Sequence, residues 1–113
     1  MKTLKVINIK TTTYGRQQIV ENNDNLYIYC GRGSEWGNPF VTGIHGSREG
    51  VIKKHQKYIE EKGVLKRFIK MIESFTATNI ELGCFCKPKS CHCDNYVRGY
   101  KKYIEEGKNN ERK

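Results

Sequence analysis

The sequence predicts an α/β domain: a small single-domain, Rossmann-like sheet, partly parallel, with about three helices. Three observations carry this. β-branched and aromatic runs alternate with segments whose apolar residues recur at helical spacing, in the order strand, short strand, strand, helix, helix, strand, helix. The length of 113 residues suits one domain. Seven Tyr, four Phe and one Trp supply a core although only 36% of residues are hydrophobic.

The elements follow in chain order. Residues 4–9 (LKVINI) read as the first strand. Residues 11–25 carry Thr11, Thr12, Thr13, Gly15, Asn22, Asn23 and Asp24 and read as a loop with a short strand near 17–20. Residues 26–30 (LYIYC) form a second clear strand and run into a glycine-rich loop, which closes on the Asn38-Pro39 turn signal. Ser47 is placed to cap a helix over 48–61, with Val51, Ile52, His55, Tyr58 and Ile59 on its apolar face and Gly63 after its end. A second helix at 64–74 carries Leu65, Phe68, Ile69 and Ile72 at i, i+3, i+4 and i+7. Residues 79–84 (NIELGC) return to a strand. Ser90 then caps a last helix of about 91–105, with Cys93, Tyr96, Val97, Tyr100 and Ile104 on one stripe. One domain spans residues 1–106, and 107–113 reads as a basic disordered tail.

Lys and Arg number 21 against 12 Asp and Glu, a net charge of +9. Such a balance points to an anionic partner, either a nucleotide-like small molecule or nucleic acid. Lys53, Lys54, Lys57, Lys66, Arg67 and Lys70 read first as solvated helix faces, and as a nucleic-acid track only if they share one side. No apolar run is long enough for a membrane span, and the N-terminal stretch lacks a signal-peptide pattern. The expected compartment is the cytoplasm. Without a secretion signal, the five cysteines are not expected to form a disulfide scaffold.

Two stretches carry chemistry, each following a strand. In the first, Gly31, Gly33 and Gly37 allow close backbone approach and can turn N–H groups toward an anion. Arg32 suits bidentate binding of phosphate or carboxylate, Ser34 and Asn38 add polar contacts, and Trp36 can stack on a ring. The plainer alternative is a tight turn with Trp36 capping the core. In the second, Cys91 and His92 are expected in the first turn of the last helix. The positive helix end, with Lys87 and Lys89, would lower the Cys91 pKa and make it a nucleophile, with His92 as proton carrier. Asp94 would orient His92 or cap the turn.

Zinc competes with that reading, with Cys84, Cys86, Cys91 and His92 as a three-cysteine, one-histidine set. Cys93 falls on the apolar stripe and reads as packing, as does Cys30. His55 reads as a satisfied, semi-buried histidine and His45 as a solvated loop residue.

The run from Tyr27 through Phe40 (YIYCGRGSEWGNPF) and the run from Leu82 through Asp94 (LGCFCKPKSCHCD) resemble the two signatures of the domain of unknown function 4326 family. The helix start at Ser47-Arg48-Glu49 is similar to the family's intervening stretch. Phe85 stands where Trp is common and Cys93 where Gly or Ala is common. The resemblance implies an intracellular protein of phage or bacterial type, in host cytoplasm if phage-encoded. It implies no particular reaction. It favours Arg32, Trp36, Asn38, Cys84, Cys86, Cys91, His92 and Asp94 as the residues of a site. The combined expectation is a nucleotide-like or other phosphate-bearing ligand held between the Gly-Arg-Gly loop and the Cys-His helix start, with hydrolysis or group transfer as the reaction class. The alternatives are a non-catalytic nucleotide-sequestering or nucleic-acid-binding module, and a zinc-stabilised interaction domain.

Overall fold

The computed structural model describes residues 2–85, 89 and 91–111, with backbone only for 108–111. Its elements are β1 (Thr3–Asn8), a single 3₁₀ turn (Ile9–Thr11), β2 (Ile19–Asn22), β3 (Asn25–Tyr29), α1 (Arg48–Glu61), α2 (Val64–Glu73), β4 (Asn79–Cys84) and α3 (Cys93–Glu111). The sheet order is β1-β4-β3-β2. β4 runs parallel to both β1 and β3, and β2 pairs antiparallel with β3. This is the small, mostly parallel α/β domain that the strand–helix alternation predicts.

Register decides the two faces. Leu26 lies beside Ile80 and Ile28 beside Leu82, so the period-2 alternation puts all four on one face. With Cys30 and Cys84 they form the sheet side of the core. Ile59 of α1, Phe68 and Ile72 of α2, and Tyr96 and Tyr100 of α3 close over them. Burial of each large side chain there contributes about 1.5–3 kcal/mol. Tyr27 and Tyr29 point to the opposite face and are also buried. Tyr14 covers Tyr27 with ring centroids 5.4 Å apart, and Phe85 meets Tyr29 edge-on at 6.5 Å. The loop before β2 therefore replaces the second helical layer of a larger fold.

Local signals set the element ends. The Ser47 hydroxyl accepts the Gly50 N–H at 3.1 Å and caps α1. Gly63 separates α1 from α2 at φ 73°, a left-handed conformation that glycine adopts without strain. Asp24 ties the sheet across its starting edge: its carboxylate accepts both the backbone N–H and the hydroxyl of Thr78.

Three boundaries differ from the sequence reading. The short strand lies at Ile19–Asn22 and turns tightly into β3 through Asn23 and Asp24, with Asn23 at φ 58°. That primed-type turn is a hairpin signal hidden in an Asn-rich run. α3 begins at Cys93, so Cys91 and His92 precede the helix. α3 also continues to Glu111, where composition reads a disordered tail from residue 107. A helix already held by Tyr96 and Tyr100 propagates past its last buried residue at little cost. Ser90, the expected cap, lies outside the described residues. Among the described residues no helix is long and apolar enough to cross a membrane.

Gly83 tests the packing of the tyrosine face. A Cβ there would lie 2.1 Å from the Tyr27 hydroxyl. Gly83→Ala should lower unfolding stability by about 1–3 kcal/mol, read by urea denaturation. An unchanged midpoint would show that Tyr27 is not held where described.

Candidate functional site

The parallel pairing brings the ends of β3 and β4 together, and both chemistry-bearing stretches leave the sheet there. Pairing persists one residue beyond β3, where the Cys30 N–H donates to the Gly83 carbonyl at 2.9 Å. A cavity of about 250 Å³ opens at this edge. Its lining includes Gly31, Arg32 and Asn38 of the glycine loop, Phe40 and Thr42, Arg48, Val51 and Ile52 of α1, and Cys84, Phe85, Cys91 and His92. It sits beyond the carboxyl ends of parallel strands, where open α/β sheets bind ligands.

The glycine loop is a pair of tight turns. The Ser34 N–H and hydroxyl both donate to the Gly31 carbonyl, at 3.1 and 2.7 Å, and the Gly37 N–H donates to the Ser34 carbonyl at 3.2 Å. Gly37 is required by close approach, since a Cβ would lie 2.7 Å from the Gly31 oxygen. The loop N–H groups of Ser34 and Gly37 are thus engaged within the loop, contrary to the expectation that they turn toward an anion. Gly33 and Ser34 lie away from the cavity, in a shallower surface hollow with Gly37. Arg32 is exposed at the cavity and has no ion-pair partner among the described residues.

Trp36 does not reach the cavity. It is buried, with its ring edge-on to Phe68 at 5.3 Å and Tyr96 at 6.3 Å, and its carbonyl accepts the Tyr96 hydroxyl at 3.0 Å. Burial of the large indole among core aromatics outweighs its use as an exposed stacking platform. Asn38 is a positioning residue. Its amide donates to the Val51 carbonyl at 3.2 Å and its oxygen accepts the Phe40 N–H at 2.9 Å, joining the loop to α1.

The second stretch is more buried than its motif suggests. Cys91 shares a hydrogen bond with Cys84 at 3.2 Å between sulfurs. That bond, together with burial, pushes the Cys91 thiol up to about 12. The sequence reading of a depressed pKa is therefore reversed. Cys91 lies before the helix rather than in its first turn, and its nearest partners are thiols. Asp94 accepts the Cys91 N–H at 3.2 Å, which fits its capping alternative.

His92 is buried, and its Nε2 lies 2.5 Å from the Cys30 carbonyl oxygen. A carbonyl only accepts, so Nε2 carries the proton and Nδ1 is the acceptor nitrogen. Behind it lies His55, with ring centroids 4.9 Å apart. His55 is completely buried. Its Nδ1 pairs with the Asn95 amide at 3.0 Å, whereas Nε2 has no partner among the described residues. It is therefore only half satisfied, unlike the sequence reading. His45 is exposed, and its Nδ1 accepts the Val41 N–H at 2.8 Å. Of the four-residue zinc set, Cys84, Cys91 and His92 meet at the cavity, while Cys86 and neighbouring Lys87 lie outside the described residues.

The sequence reading missed Phe40 and Arg48 as cavity residues. Arg48 directly follows the Ser47 cap, and a helix start facing a glycine loop is the one signal that could have marked it.

Fold and cavity together define a small α/β domain with two arginines and two phenylalanines around a pocket at the carboxyl ends of its central strands. Residues 12–108 match the family model described as domain of unknown function (DUF4326), and the chain belongs to that family. No curated protein and no solved structure matches it.

The two buried histidines make stability depend on pH. Burial, reinforced by the nearby His92, lowers the His55 pKa from 6.5 to about 3, and burial also lowers that of His92. The folded state thus favours neutral rings, and the unfolded chain binds more protons below about pH 6.5. Stability is full above that value and falls as the pH drops toward 3. Between pH 6.5 and 5, His55 alone should remove roughly 2 kcal/mol. Urea unfolding across this range should show the fall, and His55→Gln should flatten it. A pH-independent wild type would contradict the burial of both rings.

Proposed function

We propose that the cavity binds a nucleotide-like or other phosphate-bearing ligand. One observation carries this reading: Arg32 and Arg48, from separate elements, line the same cavity as the aromatic rings of Phe40 and Phe85. Guanidinium groups supply charge-assisted, bidentate bonds to phosphate oxygens, and the rings offer faces for a base or sugar. The net charge of +9 favours approach of an anion. The volume of about 250 Å³ suits a phosphate with one attached ring better than a dinucleotide. His92 also lines the cavity, held there by the bond from its Nε2–H to the Cys30 carbonyl.

Stoichiometric binding is favoured over covalent catalysis through Cys91. Without a metal, the buried Cys91 thiol, hydrogen-bonded to the Cys84 sulfur, is held on the protonated side and is a poor nucleophile. Asp94 is engaged with the Cys91 backbone, which argues for turn geometry as its task.

Isothermal titration at low salt with inorganic phosphate and with nucleoside mono-, di- and triphosphates tests the reading. At least one nucleotide should bind at one per chain and be recovered unchanged by chromatography. Arg32→Ala should weaken it about 10- to 100-fold. Binding of oligonucleotides alone, with affinity falling steeply with salt, would instead support the basic helix faces. Unaltered affinity in Arg32→Ala would remove the cavity from consideration.

A further inference from the structure

We infer that Cys84, Cys91 and Cys93 form a three-thiolate site for a single zinc-type ion at the floor of the cavity. The three sulfurs lie within 4.8 Å of one another, and those of Cys84 and Cys91 are 3.2 Å apart. A tetrahedral zinc with bonds of about 2.3 Å places its sulfurs roughly 3.8 Å apart, inside that spread. Small side-chain rotations of Cys84 and Cys91 would open the shorter separation. Sulfurs this close leave room for one ion, not for an iron–sulfur cluster.

The donors come from the end of β4 and from the turn into α3. Cys84 ends β4, the central parallel strand. Cys91 and Cys93 flank the turn into α3, where the Asp94 N–H donates to the Cys91 carbonyl at 3.1 Å. Cysteine as a small core residue explains burial at each position. It does not explain why three sulfurs from two segments converge on one point. Soft thiolates in such a set select zinc-type ions over hard cations.

This ligand set differs from the one read in the sequence. His92 is excluded as a ligand through Nε2, which donates to the Cys30 carbonyl. The same N–H lies 3.8 Å from the Cys93 sulfur, as an outer-shell donor to a thiolate would. Cys93, read as packing, takes the third place. Cys84 and Cys91 both border the cavity, so the fourth position of the ion would open toward it. Three protein ligands with an open fourth position are the pattern of reactive rather than closed structural zinc sites.

Binding balances as three thiols plus one Zn²⁺ giving a zinc trithiolate and three protons released to solvent. The complex carries one net negative charge, at the floor of a cavity that Arg32 and Arg48 also line. The site stands apart from the phosphate reading, because none of its donors is an arginine.

Full-length protein, purified reduced and without chelator, should carry one zinc per chain by native mass spectrometry. Titration of the demetallated protein with Co²⁺ should give the intense near-ultraviolet band of thiolate-to-metal charge transfer. Zn²⁺ uptake should release about three protons, from the balance above. Cys93→Ser should weaken Co²⁺ by more than the roughly 10- to 100-fold that loss of an outer-shell partner costs. Cys30→Ala and Arg32→Ala should keep the stoichiometry and the band. Wild-type protein that takes up no metal, or that forms a Cys84–Cys91 disulfide in its presence, overturns the site. So does Cys93→Ser protein that binds Co²⁺ as tightly as wild type. The wild-type spectrum alone decides the matter should Cys93→Ser fail to fold. Wild-type protein that takes up no metal yet binds nucleotide would sink this inference and leave the phosphate reading intact.

Discussion

The parallel pairing of β3 with β4 is the constraint on which the rest of the structure depends. Leu26 beside Ile80 and Ile28 beside Leu82 fix the register, and a slip of one residue would send this apolar set to the opposite face. The same register brings the two strand ends side by side. The glycine loop and the Cys-His segment, more than 50 residues apart in the chain, therefore leave the sheet at one edge. Parallel pairing requires a long crossover, and α1 and α2 supply it. Their apolar stripes then cover the core face, and the start of α1 brings Arg48 to the cavity.

Several buried groups around that edge oppose folding. Among the described residues His55 keeps an N–H without a partner, and four buried cysteines occupy positions where aliphatic side chains would gain more from burial. A half-satisfied buried ring costs on the order of 1–3 kcal/mol. These costs concentrate beneath the cavity rather than across the domain, a pattern expected of sites kept for function. The two proposals share this edge yet draw on different atoms. One draws on guanidinium groups and rings that line the cavity, the other on the sulfurs of Cys84, Cys91 and Cys93.

Sequence periodicity made the main elements legible because they obey simple rules. The β-branched and aromatic run LYIYC, the i, i+3, i+4, i+7 stripe of α2 and the Ser47 cap each reflect local physics. The hairpin at Asn23 was obscured because turn residues also look like a plain loop. In the site, Arg32 was legible from its loop, but Arg48 depends on a long-range meeting of helix and loop. Trp36 could not be assigned from sequence, since stacking on a ligand and stacking on Phe68 demand the same side chain. The Cys91 thiol was misread because its pKa follows from Cys84 and burial, which spacing does not reveal. Cys93 shared an apolar stripe with Tyr96 and Tyr100, which concealed its place beside two other sulfurs.

The central claim is that the edge where β3 and β4 end is the binding face of this domain. Amide chemical-shift mapping by two-dimensional NMR, with a nucleoside monophosphate and separately with inorganic phosphate, tests it most directly. The account predicts the largest shifts at Gly31, Arg32, Phe40, Arg48, Ile52 and His92, with little change along the exposed lysines of α1 and α2. Shifts centred on Lys53, Lys57, Lys66 and Lys70, or none at all with either ligand, would contradict it.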